Sequence, residues 1–205
     1  MTHATWDNPE AFSRALRLPH WRKTFTKVIA HDLETFNFMS FRSVNLTQKQ
    51  EQVWGFKDPR SSITLPIWLD IFPNAKVINI IREGNAVASS LLQRGKNSQE
   101  RNKIPSLVSL EPALSLDLWA EYVMTANQNC SILSGEKYLE LKYEILLESP
   151  EATIRQIINF LKIDVNQEIV NNAVSRVKRP NNPVVKVEDI SVTARTALDY
   201  YGYND

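Results

Sequence analysis

The feature that most restricts the fold of this chain is an apolar run that stops at an arginine. The run "KVINII" (76–81) is rich in β-branched residues and carries no charge after Lys76, which is typical of a strand buried on both faces. Arg82 and a Gly84-Asn85 pair follow, and then a segment of Ala, Ser and Leu with helical character. A buried strand that leads directly into a helix predicts the β-α unit of a parallel sheet.

The rest of the chain alternates predicted helices with short predicted strands. Two further strand candidates are "VWGFK" (53–57) and "KYLELKYE" (137–144). Helices are predicted over the first fifty residues and near 61–72, 85–95, 111–133, 150–163, 166–177 and 192–201, whereas "KRPNNPVVK" (178–186) is predicted to be an irregular loop. The pattern predicts an α/β fold in one domain over 1–205, with a helical part at 1–50, the core strands within 53–163 and C-terminal helices at 164–205.

Composition excludes several classes of function. The formal net charge is +1 over 205 residues, so no overall field attracts nucleic acid or anionic membrane, and neither is expected as a partner. Cys130 is the single cysteine, which excludes an intramolecular disulfide and a Cys-based metal cluster, and no metal is expected. The start of the sequence has no apolar stretch of signal-peptide length and no later run approaches a membrane span, so a cytoplasmic location is expected.

Arg82 is the first candidate for a functional residue. Ligands of open parallel sheets bind beyond the carboxyl ends of the strands, and Arg82 follows such an end. A guanidinium beside the free N–H groups and positive dipole of a helix start predicts an anion site, with phosphate the best fit. Ser90, eight residues later, could turn its hydroxyl toward the same anion. Pairing of Arg82 with Glu83, and simple packing of Ser90, are equally open alternatives.

Two more side chains are expected at the same edge of the sheet. Lys57 comes just after the 53–57 strand candidate and before Asp58-Pro59, and Tyr143 ends the 137–144 candidate. A solvated lysine and a core tyrosine are the competing interpretations of these two residues.

Three segments together resemble a known family. They are "WGFKDPR" (54–60), "FPNAKVINIIREGNAVASSLL" (72–92) and "YLELKYEILLESPEATIRQIINFLKI" (138–163), in the order found in sulfotransferases that use 3′-phosphoadenosine 5′-phosphosulfate (PAPS). The chain is most similar to bacterial sulfotransferase-domain proteins, and its Lys-Asp-Pro element also resembles that of tyrosylprotein sulfotransferases. The resemblance implies a P-loop-hydrolase-like, three-layer α/β/α fold with a central parallel sheet.

The resemblance also implies roles for four residues. Arg82 and Ser90 match the family's 3′-phosphate ligands, and Tyr143 matches a tyrosine near the adenine and the 3′-phosphate. Lys57 matches the catalytic lysine that contacts the bridging region of the phosphosulfate. The implied reaction transfers a sulfuryl group from PAPS to a hydroxyl or amine of a small-molecule, glycan or peptide acceptor. The residue that acts as general base is not identified. Asp58 lies beside Lys57, but the family pattern suggests a turn role for it.

One expected element is absent from the sequence. Members of the family open with a strand and a Ser/Thr/Gly-rich loop for the 5′-phosphosulfate, and none of the five glycines of this chain lies in such a loop. We therefore expect a sheet without its usual first strand, because of truncation, and a partner or self-association that covers the incomplete sheet. The alternative function is an inactive remnant, or a nucleotide-binding or interaction module, that retains only the 3′-phosphate half-site.

Overall fold

The computed structural model describes residues 10–35, 55–101, 103–180 and 183–204 of the chain. Nine α-helices lie in these ranges: α1 (Glu10–Leu16), α2 (Pro19–Thr35), α3 (Ser61–Ile71), α4 (Gly84–Glu100), α5 (Pro112–Cys130), α6 (Tyr143–Glu148), α7 (Pro150–Leu161), α8 (Gln167–Ser175) and α9 (Val192–Tyr201). Two strands, β1 (Val77–Ile81) and β2 (Tyr138–Lys142), and a 3-10 turn (Leu107–Ser109) complete the described elements. No helix in these ranges has the length and apolar character needed to cross a bilayer.

The predicted helices are confirmed wherever the structure describes them. Of the predicted helical region 1–50, residues 10–35 form α1 and α2, and 36–50 lie outside the described residues. Local sequence explains several of the starts. A proline occupies the first position of α5 and of α7, where its missing N–H costs nothing. Asn166 and Ser191 cap α8 and α9 through their side-chain oxygens.

The two strands form a parallel sheet. β1 pairs with β2 from Val77 opposite Tyr138 to Ile81 opposite Lys142. Both strands were predicted, although Tyr143 and Glu144, at the end of the predicted 137–144 strand, instead begin α6. The parallel pairing confirms the α/β class at the level of a small parallel sheet among helices. Because the ladder ends in register, the residues that follow the two strands leave the sheet side by side.

The strand predicted at 53–57 is wrong in the part that the structure describes. Residues 53 and 54 lie outside the described ranges, and Gly55–Lys57 has no regular secondary structure. A strand needs a hydrogen-bonded neighbour about 4.8 Å away. Instead, a cavity of about 670 Å³ is lined by both Gly55–Lys57 and the first half of β1. With no neighbouring strand among the described residues, the backbone of Gly55–Lys57 is irregular.

Two clusters of buried residues form the described core, and α5 contacts both. The first contains Ala88, Leu116, Trp119, Ala120, Ala194, Ala197 and Leu198, from α4, α5 and α9. The second contains Leu16, Ile63 and Ile67, with Tyr122 of α5 packed against it. Helix α5 therefore connects the cluster formed with α4 and α9 to the cluster formed by α1 and α3.

The segment before α9 lies along α4. The Val185 and Val187 N–H groups donate to the side chains of Ser89 and Asn85, each at 2.9 Å. Ser89 and Asn85 are four residues apart and therefore share one face of the helix. The end of the predicted irregular loop is thus held against the helix that follows Arg82.

Candidate functional site

Arg82 and Tyr143 lie together where the two strands end. They follow Ile81 and Lys142, the last pair of the ladder. The Arg82 guanidinium carbon is 5.4 Å from the centre of the Tyr143 ring, a cation–π distance. No ion pair involves Arg82 among the described residues, so the alternative pairing with Glu83 is not what the structure has. A half-buried guanidinium stacked on an aromatic ring retains its N–H donors for an anion.

Glu83 instead occupies the start of α4. Its carboxylate accepts hydrogen bonds from the Asn85 and Ala86 N–H groups, at 2.8 and 2.6 Å, and from the Asn85 side-chain amide at 2.7 Å. The expectation that free N–H groups of this helix start would bind the anion is therefore wrong for Asn85 and Ala86. The Glu83 carboxylate binds these amides because it lies next to them in the chain and because its negative charge complements the helix dipole. These two amides are thus occupied, and the Arg82 side chain stays the predicted anion ligand at this position.

The peptide bond between Arg82 and Glu83 is held at both of its polar groups. The Trp119 indole N–H donates to the Arg82 carbonyl at 3.0 Å. The Glu83 N–H donates to one oxygen of Glu144 at 2.9 Å, and the Tyr203 hydroxyl donates to the other at 2.9 Å. The sequence did not single out Trp119 or Tyr203 as a site residue, because neither lies in a local motif with Arg82.

Ser90 lies farther along α4 in a separate electropositive pocket. The pocket has a volume of about 370 Å³ and is lined by Ser90, Gln93, Arg94, Asn97, Ser98, Arg101 and Lys103. The lining contains three cations and no carboxylate. Arg94 is one turn beyond Ser90 on the same helix face, and this i, i+4 spacing is visible in the sequence. Arg82 does not line this pocket, so the structure does not bring Ser90 and Arg82 together in one pocket.

The basic loop after α8 reaches the same end of the sheet. The Tyr143 hydroxyl donates to the Lys178 carbonyl at 3.4 Å, a long hydrogen bond. Three basic residues, Arg176, Lys178 and Arg179, lie in this segment. All three side chains have solvent exposure, and the backbone at Lys178 lies beside the ring that stacks on Arg82.

The structure does not bring Lys57 to Arg82. Lys57 is exposed and lines the 670 Å³ cavity together with α3 and the first half of β1, whereas Arg82 follows the last residue of that strand. Arg82 is five residue steps along the chain from Val77, about 16 Å at the usual rise of a strand. Lys57 therefore lies along the flank of β1, and the Arg82–Tyr143 pair lies at its end.

Asp58 stabilises the turn before α3. Its carboxylate accepts from the Arg60 backbone N–H at 2.9 Å and from the Arg60 guanidinium. The Arg60 hydrogen bonds hold the pKa of Asp58 below its ordinary value. This agrees with the turn role that the resemblance implied and makes Asp58 a weak base. Within the part of the chain that the structure describes, no group of three His, Cys, Asp or Glu side chains is arranged to hold a metal ion.

Comparison with known proteins identifies the family. A family model described as "Sulfotransferase family" matches residues 3–167. A putative protein-tyrosine sulfotransferase of Caenorhabditis briggsae is 28% identical over 119 residues, 57% of this chain and 39% of that protein. Protein-tyrosine sulfotransferase 1 of Danio rerio is 25% identical over 149 residues, 68% of this chain and 40% of that protein.

A bacterial relative is named for a different acceptor from that of the two protein-tyrosine sulfotransferases. An omega-hydroxy-beta-dihydromenaquinone-9 sulfotransferase of Mycobacterium tuberculosis is 22% identical over 138 residues, 66% of this chain and 35% of that protein. The matched region thus spans about two-fifths of the length of these curated relatives. No solved structure matched the chain. Because the family model covers more than half of its residues, this chain belongs to the sulfotransferase family.

Proposed function

We propose that this protein transfers a sulfuryl group from PAPS to a hydroxyl or amine acceptor. The observation that carries the proposal is the position of Arg82, which leaves the sheet beside Tyr143 with no carboxylate partner among the described side chains. The family of the chain supports sulfuryl transfer as the reaction. The identity of the donor and the roles of single residues are part of the proposal.

The residues at the strand ends suit the adenosine 3′-phosphate part of the donor. The Arg82 fork can make two parallel hydrogen bonds to phosphate oxygens, and the Tyr143 ring offers a face for the adenine. We also propose Ser90 as a ligand of the nucleotide, reached from the separate pocket along α4 in which Arg94 adds a cation on the same helix face. When bound, PAPS supplies the sulfuryl group, and adenosine 3′,5′-bisphosphate is its leaving group.

Calorimetric titration with adenosine 3′,5′-bisphosphate tests the proposal. Arg82→Ala should abolish measurable binding, because an arginine that binds phosphate with two hydrogen bonds contributes much of the affinity. Arg155→Ala is the matched control, since Arg155 is an exposed arginine of α7 that pairs with Glu151. Equal affinity in the two variants would show that Arg82 does not bind the nucleotide.

Transfer itself needs a second assay. The full chain should release adenosine 3′,5′-bisphosphate from PAPS in the presence of phenolic, alcoholic, glycan and amine acceptors. If the chain binds the nucleotide but transfers no sulfuryl group to any of these acceptors, it would be a nucleotide-binding module only. The acceptor class is proposed only as small-molecule, glycan or peptide. A cytoplasmic location stays a prediction.

A partner for the sheet is the last part of the proposal. Among the described residues β1 pairs only with β2, and Ile80 remains 48% exposed on this strand. Parallel sheets are normally covered on both faces, so we expect self-association or a partner segment at β1. Size-exclusion chromatography with light scattering should detect a concentration-dependent mass, whereas a monomer at all concentrations would argue against self-association.

A further inference from the structure

Gly202 and Tyr203, which follow α9, turn back toward Arg82. Gly202 follows α9 in the left-handed conformation, with φ of 68°. The Gly202 N–H donates to the Asp199 carbonyl at 3.1 Å, and the Tyr203 N–H donates to the Leu198 carbonyl at 2.9 Å. This pair of bonds is a Schellman motif, which reverses the chain direction at a helix end. Tyr203 is therefore directed back over the helix rather than into solvent.

Tyr203 is fixed on several sides. Its ring meets the Trp119 ring edge-on, with centres 6.5 Å apart, and the Lys142 ammonium lies 4.7 Å from the ring centre. Its hydroxyl donates to Glu144 at 2.9 Å. Burial, and then the bond to Glu144, raise the pKa of Tyr203 above its ordinary value, so the phenol keeps its proton and stays a donor near neutral pH.

The contacts of Tyr203 converge on one peptide bond. Glu144, which accepts from Tyr203, accepts from the Glu83 N–H with its other oxygen. Trp119, which packs against Tyr203, donates to the Arg82 carbonyl. The N–H and C=O so held belong to the same planar peptide unit. With both groups fixed, the ψ angle of Arg82 is fixed, and the direction in which its side chain leaves the backbone is restricted.

We propose that Tyr203 and Trp119 are positioning residues that orient Arg82 for the 3′-phosphate of the nucleotide. The inference rests on the proposed function, since it takes Arg82 to be the phosphate ligand. A bidentate guanidinium–phosphate contact depends on alignment, so a rotated 82–83 peptide weakens it without removing the charge. The two residues act on the 3′-phosphate and leave contacts to the rest of the nucleotide unchanged.

Two variants remove one donor each and keep an aromatic ring at the position. They are Tyr203→Phe and Trp119→Phe, and Tyr200→Phe is the control. Tyr200 is an exposed tyrosine of α9 whose hydroxyl contacts Asn127 at 3.4 Å. Calorimetry measures the affinity of each full-length variant for adenosine 3′,5′-bisphosphate and for adenosine 5′-monophosphate, which lacks the 3′-phosphate.

The wild type should prefer the bisphosphate. Each of the two variants should lose about fivefold or more of that preference, the worth of one hydrogen bond, with unchanged affinity for the monophosphate. Tyr200→Phe should keep the full preference. A wild type with equal affinity for both nucleotides would overturn the 3′-phosphate site of the proposed function. If both Phe variants keep the full wild-type preference for the bisphosphate, the positioning role is wrong and the 3′-phosphate site stands.

Amide hydrogen exchange gives a second measurement that needs no nucleotide. Tyr203→Phe should speed exchange at the Glu83 N–H, because Glu144 loses the hydroxyl that orients it, while exchange in the middle of α7 stays as in the wild type. Unchanged exchange at Glu83 in a folded Tyr203→Phe protein would show that the link through Glu144 does not exist. Should Tyr203→Phe fail to fold, Trp119→Phe tests the same peptide bond from its carbonyl side.

Discussion

At the scale of single residues, Lys57 has the role that most needs a direct test. A cation beside the bridging oxygen of the donor would stabilise the charge that develops there in the transition state, a contribution of about 3–4 kcal/mol for a well-placed donor. Lys57→Ala should therefore lower the rate of sulfuryl transfer about a hundredfold or more and leave the affinity for adenosine 3′,5′-bisphosphate nearly unchanged. An equal fall in rate and affinity would assign Lys57 to binding. Exposed Lys162→Ala is the control.

Gly84 shows how one residue allows the site to pack. A Cβ at this position would lie 2.7 Å from Leu116 Cδ1 and 2.8 Å from Trp119 Cε3. Gly84→Ala should lower the free energy of unfolding by about 1–3 kcal/mol, because the indole that holds the Arg82 carbonyl would have to move. Urea denaturation measures this, and Gly135→Ala is the control since nothing lies within 4 Å of its Cβ. Equal stability of the two variants would contradict the packing argument.

Cys130 should be chemically inert in the folded protein. Burial raises the pKa of its thiol to about 11, and its side chain is only 3% exposed. The thiolate is the reactive form, so at pH 8 alkylation should be at least about a hundredfold slower than in urea. The rate should rise as the pH approaches the raised pKa. Rapid labelling at pH 8 without urea would show that the end of α5 opens.

At the scale of elements, α4 organises both the site and the segment that precedes α9. Ser89→Ala removes the acceptor of the Val185 N–H, so hydrogen exchange at Val185 should become several-fold faster while global stability falls by only about 1 kcal/mol. Ser98→Ala is the matched control on the same helix, because Ser98 donates only to the Arg94 carbonyl of its own helix. Unchanged exchange at Val185 would mean that other contacts hold the segment.

At the scale of the whole molecule, α5 should make the chain unfold as one unit. It packs against both core clusters, so loss of either exposes apolar surface of the other. Circular dichroism and tryptophan fluorescence should give one coincident urea transition, as predicted for a single domain. Ile67→Val, in the second cluster, should shift both signals together by about 0.5–1.5 kcal/mol. Two separate transitions, or a shift in one signal, would divide the chain into two units.

Much of the fold could be predicted because it depends on neighbours in the chain. The runs at 77–81 and 138–142 have the β-branched and alternating character of strands, and the helices have apolar spacing and capping residues that act within one turn. Parallel pairing follows from the intervening helices. The proximity of Arg82 and Tyr143 follows from that pairing, since each comes directly after a strand.

The remaining features of the fold and of the site depend on tertiary contacts that no local sequence pattern predicts. Gly55–Lys57 has strand-like residues but no neighbouring strand among the described residues. Its β-strand propensity therefore does not lead to a strand. Glu83 was a candidate partner for Arg82 and instead caps α4, because two amides lie within its reach.

The sequence alone determined the two paired strands and most of the helices around them, the arginine at the end of β1 and the family of the chain. The tertiary structure decided how that arginine is held. Trp119 and Tyr203 are separated from Arg82 by 37 and 121 residues, and only the packing of α5 and α9 against the strand ends brings them to its backbone. Propensity and periodicity act between residues a few positions apart, whereas a hydrogen bond between distant residues depends on where packing leaves both groups.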